Sequence, residues 1–145
     1  MIDDPSSLIA FRPDLSSEYW LPLFSNAASC GFPSPADSHV EETLNLNDLL
    51  IKRPAATFFV RVSGDSMLLA GIHSGDLLVV DRSLEATDGR VVVAVINGEL
   101  FVKRLRIKQG KTLLMADNPD YAPIEITEAM TLHIWGVVTN VIHSL

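Results

Sequence analysis

From residue 57 onward, hydrophobic positions fall into short runs separated by charged or glycine-bearing breaks. Residues 57–62, Thr-Phe-Phe-Val-Arg-Val, combine β-branched and aromatic side chains, the composition of a strand. Asp76 and Asp81 bracket the apolar run Leu77-Leu78-Val79-Val80. Residues 91–96 and 100–107 flank Asn97-Gly98. An Asn-Gly pair between two strand-like runs is a strong hairpin signal, because both residues accept positive φ. A two-residue loop there pairs Ile96 with Glu99 and, counting back, Val92 with Lys103. Further strands are expected at residues 112–115 and 132–142. A short helix is expected around Leu49, Leu50 and Ile51, with Asn47 as its cap and Pro54 closing it. Many short strands and few helices predict a mostly β fold, a single compact domain of short antiparallel strands arranged like a barrel.

The first 38 residues follow another pattern. They hold five of the eight prolines (Pro5, Pro13, Pro22, Pro33 and Pro35) and no sustained periodicity. Proline removes a backbone donor and interrupts helices and central strands. Residues 1–38 therefore read as an extended arm, and residues 39–145 as the β-rich body.

Composition narrows the classes. A chain of 145 residues fits one hydrophobic core, and 48% hydrophobic residues exclude a disordered chain. The longest apolar run, residues 91–96, is far short of the roughly 20 residues of a membrane span. No basic segment followed by an apolar block marks a secretion signal. A single cysteine, Cys30, cannot form an internal disulfide, and the expected location is the cytoplasm. The net charge is −7, and the one dense basic stretch is Lys103, Arg104, Arg106, Lys108 and Lys111. That balance argues against direct specific DNA binding and points to protein partners.

The chemistry-bearing candidates are few. Ser63-Gly64-Asp65-Ser66-Met67 follows a strand and precedes Leu68-Leu69. Gly64 allows a sharp turn. Ser66 beyond it reads either as the cap of a short helix or as a nucleophile beside unpaired N–H groups. In residues 101–107, Phe101, Lys103, Leu105 and Ile107 share one strand face, and Arg104 and Arg106 the other. A lysine on the apolar face either snorkels to water or is desolvated, with a lowered pKa that lets its neutral amine take a proton from a hydroxyl. His39, His73, His133 and His143 stand apart with no metal-ligand spacing, so neither a metal site nor a cofactor is expected. Cys30 has no activating neighbour and reads as an inert thiol.

Four segments then carry a resemblance: Ser29-Cys30-Gly31-Phe32-Pro33-Ser34-Pro35-Ala36, Ser63-Gly64-Asp65-Ser66-Met67, Gly75-Asp76-Leu77-Leu78-Val79-Val80-Asp81 and Phe101-Val102-Lys103-Arg104-Leu105. Together they resemble the UmuD-type members of the LexA-like self-cleaving serine peptidases, of peptidase S24 type, from about residue 21 to the C-terminus. The resemblance implies Ser66 as nucleophile, Lys103 as general base and Cys30-Gly31 as the scissile bond. Gly64, Asp65 and Met67 would support the turn. It further implies a homodimer cut on stimulation by a RecA filament on single-stranded DNA. The shortened chain would then serve a UmuC-type Y-family polymerase in error-prone translesion synthesis during the SOS response.

Two other readings compete. A non-catalytic dimeric polymerase adaptor of the same fold should have lost Ser66, Lys103 or Gly31, and all three are present. A signal-peptidase-like enzyme acting on other proteins should carry a membrane anchor, and none is visible in the sequence. Only 30 residues, interrupted by proline, precede Gly31, which is too little for a repressor's DNA-binding domain.

Overall fold

The computed structural model of the chain describes residues 9–24 and 40–145. These form two compact units, residues 14–24 with 40–52 and residues 9–13 with 53–145. In the smaller unit, β2 (Leu21–Phe24) pairs antiparallel with β3 (Val40–Leu44), and α1 (Leu46–Leu50) follows. Pro22 is tolerated in β2 because a strand paired on one side leaves N–H positions that need no partner. The helix cap is Asn45 rather than the expected Asn47. The Asn45 side chain accepts from the Asn47 N–H at 2.9 Å. Both asparagines have the right side chain, but only Asn45 stands at the extended residue preceding the first turn.

The larger unit is one eight-stranded antiparallel sheet. Its strands are β1 (Ile9–Phe11), β4 (Thr57–Arg61), β5 (Leu77–Asp81), β6 (Val91–Ile96), β7 (Glu99–Lys108), β8 (Lys111–Met115), β9 (Ile124–Glu125) and β10 (Leu132–Ile142). Their spatial order is β1-β4-β5-β10-β6-β7-β8-β9. The mostly β, antiparallel expectation holds, but the sheet is not closed into a barrel. Closure requires the outer strands to pair, whereas β1 and β9 are three and two residues long and each pairs on one side. The expected N-terminal arm thus supplies β1 to the edge of this sheet, against β4, and β2 to the smaller unit.

Alternation along the strands fills two cores, one on each face. Val93, Leu100, Val102 and Trp135 belong to one cluster, with Val60, Met67 and Leu78. Val92, Ala94, Leu105, Leu114 and Val137 belong to the other. The β6–β7 hairpin has the expected register, with Ile96 opposite Glu99 and Val92 opposite Lys103. Asn97 and Gly98 take φ of 49° and 84°, the two left-handed residues of a tight primed turn.

β10 pairs with both β5 and β6, and its register shifts twice, between Ile134 and Gly136 and between Val138 and Asn140. At the first shift the backbone passes so close to β5 that a Cβ on Gly136 would lie 2.5 Å from Val80 Cγ1. Val80 is wholly buried and cannot retreat. Gly136→Ala is therefore expected to cost about 1–3 kcal/mol through overpacking. A thermal melt followed by circular dichroism checks this, and an unchanged midpoint would contradict the packing argument.

Candidate active site

The segment after β4 turns sharply at Gly64, whose φ of +96° excludes an ordinary side chain. The Gly64 N–H donates to Ser74 Oγ at 3.2 Å, which closes the base of the turn. A short 3-10 helix, Leu68–Ala70, follows. Its cap position is Met67, and no side chain caps it. The capping role left open for Ser66 is thereby removed, because Ser66 precedes the cap within the turn itself. Ser66 is half-buried, and Met67 beside it is a core residue.

Lys103 is buried in the middle of β7, with 7% of its surface exposed. With so little of its surface exposed, the side chain does not snorkel out to water along its apolar neighbours. Burial lowers the Lys103 pKa below the ordinary lysine value. The Lys103 Nζ also sits 5.2 Å from the centre of the Tyr121 ring, which favours the charged form. That attraction is worth roughly 0.5–2 kcal/mol, whereas removing an ammonium from water costs several, so desolvation wins.

Ser66 and Lys103 open into one cleft of about 480 Å³, which Gly64, Met67, Phe101 and Tyr121 also line. No functional role for Tyr121 was legible in the sequence. Its hydroxyl donates to Asp65 Oδ1 at 2.6 Å, and this carboxylate contact raises the phenol pKa. Residues 118–121 form a turn, closed by the Tyr121 N–H donating to the Asn118 carbonyl at 3.1 Å. Asn118 Nδ2 in turn donates to the Asp65 carbonyl at 2.9 Å.

Asp117 ties the two candidate segments together. Its carboxylate accepts from Arg104 Nε at 3.0 and 3.1 Å and from Arg104 Nη2 at 2.6 Å. Its own N–H donates to Met67 Sδ at 3.4 Å, and its carbonyl accepts the Leu69 N–H at 2.8 Å. Arg104 adjoins Lys103, and Met67 adjoins Ser66. One aspartate therefore braces the loop against the strand. No sequence spacing betrayed this, since Asp117 lies 50 residues from Met67.

Cys30 and Gly31 lie outside the described residues. Among the described residues, no helix is long and apolar enough to cross a membrane. Against the expectation of no metal-ligand grouping, the fold brings His73 and His143 to the two sides of Asp76. Linear spacing could not reveal this, because His143 arrives from the far end of β10.

Comparison with known proteins gives the family. The "Peptidase S24-like" family model matches residues 22–139. The chain belongs to the peptidase S24-like family. It is 45% identical over 132 residues to "Protein ImpA" of Salmonella typhimurium, covering 90% of this chain and 89% of that protein. It is 49% identical over 122 residues to "Protein SamA" of Salmonella typhimurium strain LT2, covering 84% of each. It is also 44% identical over 115 residues to "LexA repressor 1" of Pseudomonas syringae pv. tomato, covering 79% of this chain and 54% of the repressor. The LexA-like resemblance noted in the sequence is therefore family membership.

The Asp117 brace makes a quantitative demand. Bidentate arginine–carboxylate pairs that are partly withdrawn from water are stronger than exposed ones. Arg104→Ala and Asp117→Ala should each destabilise the protein by about 1–3 kcal/mol. The double variant should lose little more than the worse single one, leaving a coupling energy above about 0.5 kcal/mol. Urea melts of the four proteins measure it, and additive losses would mean the pair is not coupled.

Proposed function

We propose that this chain is a self-cleaving serine peptidase that cuts its own Cys30-Gly31 bond, with Ser66 as nucleophile and Lys103 as general base. The observation that carries the reading is the buried, pKa-lowered Lys103 opening into the same cleft as Ser66. A neutral amine takes the Ser66 proton as Oγ attacks the Cys30 carbonyl carbon. The Lys103 ammonium then gives that proton to the departing Gly31 amine. Water hydrolyses the Cys30 ester with Lys103 again acting as base, which restores Ser66. Gly64, Asp65 and Met67 shape the turn that presents the nucleophile. Gly31 lets a tight bend of the chain's own backbone approach them.

The resemblance extends the proposal to partners. A RecA filament on single-stranded DNA stimulates the cut in the cytoplasm, and the product, a homodimer, joins a UmuC-type translesion polymerase in the SOS response. The extended arm of residues 1–38 is the part that carries the cleavage site. Residues 1–30 carry Asp3, Asp4, Asp14 and Glu18 against Arg12, so the cut removes −3 of the net −7. It also severs β1 from the chain and so frees the β4 edge to which β1 is paired. An exposed edge with unpaired N–H and C=O groups is a ready docking strand, consistent with a change of partner on cleavage.

The pH profile tests the base. An unperturbed lysine is neutral in only about one molecule in a thousand at pH 7.4. Folding lowers the Lys103 pKa, so raising pH deprotonates more of it, and filament-independent cleavage should rise with pH and then level off. Lys103→Arg keeps its charge throughout and should be inactive even at high pH, as should Ser66→Ala. The fraction cut between about pH 6 and 11 is read by gel. A flat wild-type profile, or an active arginine variant, removes Lys103 from the mechanism.

The bond is tested separately by intact mass after incubation with RecA, an ATP analogue and single-stranded DNA. Fragments of 30 and 115 residues are expected from the 145-residue chain. Cys30→Ala should still be cut, whereas Gly31→Glu should fold and remain whole. Wild-type processing of Gly31→Glu would place the cut elsewhere.

A further inference from the structure

We propose that His73, Asp76 and His143 form a binding site for a divalent zinc-type cation, separate from the Ser66–Lys103 cleft. One ligand atom from each lies within 4.8 Å of the other two. Two imidazoles and a carboxylate are a donor set that suits zinc, with the fourth position left to water.

The fold imposes the grouping through two independent constraints. The β5–β10 ladder ends with Ile142 opposite Leu77, and one step further along this antiparallel pair sets His143 opposite Asp76. His73 and Asp76 are joined by a tight turn, in which the Asp76 N–H donates to the His73 carbonyl at 3.0 Å. Asp76 is thereby fixed from both sides. Its Oδ2 accepts the His73 backbone N–H at 2.7 Å, and its Oδ1 contacts His143 Nδ1 at 2.6 Å. The two imidazoles face each other with ring centres 4.5 Å apart.

The two carboxylate-to-imidazole distances need only small adjustment. Zinc bonds of about 2.0–2.1 Å at tetrahedral angles set ligand atoms roughly 3.3 Å apart. Asp76 Oδ1 to His143 Nδ1 is 2.6 Å and Asp76 Oδ2 to His73 Nδ1 is 3.7 Å, so the required spacing falls between them. Both imidazoles are nearly half exposed and can rotate by that amount, while Asp76 is almost wholly buried. An ion there would staple the end of β10 to the turn that leads from the Ser66 loop into β5.

Zinc sulfate titrated into the untagged full chain in a calorimeter tests the site, with thermal melts as a second readout. One ion per chain is expected, together with a higher melting temperature at saturating zinc. His73→Ala and His143→Ala should each weaken binding at least about tenfold and abolish the thermal shift. Both side chains are half exposed, so these variants should fold, and circular dichroism verifies that. No binding up to about 1 mM zinc overturns the proposal. So does binding that survives both substitutions, which would assign the ion to other donors such as Cys30, His39 or His133.

Discussion

The register of the β6–β7 hairpin is the constraint on which the rest of the larger unit depends. Strand side chains alternate with a period of two, so a slip of one residue moves every one of them to the opposite face. In the observed register Lys103 stands opposite Val92, and Leu105 and Val92 join the same core. Slipped by one, Arg104 would occupy the buried position and lose its ion pair with Asp117. The Asn97-Gly98 turn guards against that, because a two-residue loop with two left-handed residues admits only one pairing of the flanking strands. The same register fixes β6 against β10 on its other side, and so the centre of the whole sheet.

Burying an amine in that register is a cost, and the surroundings show how it is met. The ring face of Tyr121 offsets part of the penalty, and among the described residues no carboxylate forms an ion pair with Lys103, so burial governs its lowered pKa. Arg104, one residue on, has the opposite arrangement, with a carboxylate pair that raises its pKa and keeps it charged. Adjacent cations on one strand are thus driven apart. One is prepared to lose a proton and the other is kept as a structural clamp. Such separation is what the proposed proton transfer requires, and it arises from the alternation of the strand.

The clamp also explains why the loop carrying Ser66 can be short and lack helix capping. Its conformation is held from outside, through Asp117 on Met67 and Leu69 and through Asn118 and Tyr121 on Asp65. Four polar contacts from residues 117–121 replace the internal hydrogen bonds that a longer helix would have supplied. A loop held in this way is fixed to β7 rather than free to drift from it, and a reaction that depends on positioning benefits from that.

Much of this was legible in the sequence because it rests on local rules. The alternation in residues 91–107, the Asn-Gly turn, the register opposite Val92 and the apolar face of Lys103 all follow from nearest-neighbour geometry. The Ser-Gly-Asp-Ser-Met block and the Lys103 strand likewise carried the family resemblance. What the sequence left undecided depends on segments distant in the chain. Whether eight strands close or stay open is set by the lengths of β1 and β9, which are too short to leave a periodic signal. Asn45 rather than Asn47 caps α1 because the chain direction entering the helix, not side-chain type, selects the cap. Asp117, Tyr121 and the His73–Asp76–His143 group owe their roles to contacts that reach as far as 67 residues along the chain, and only packing brings such partners together.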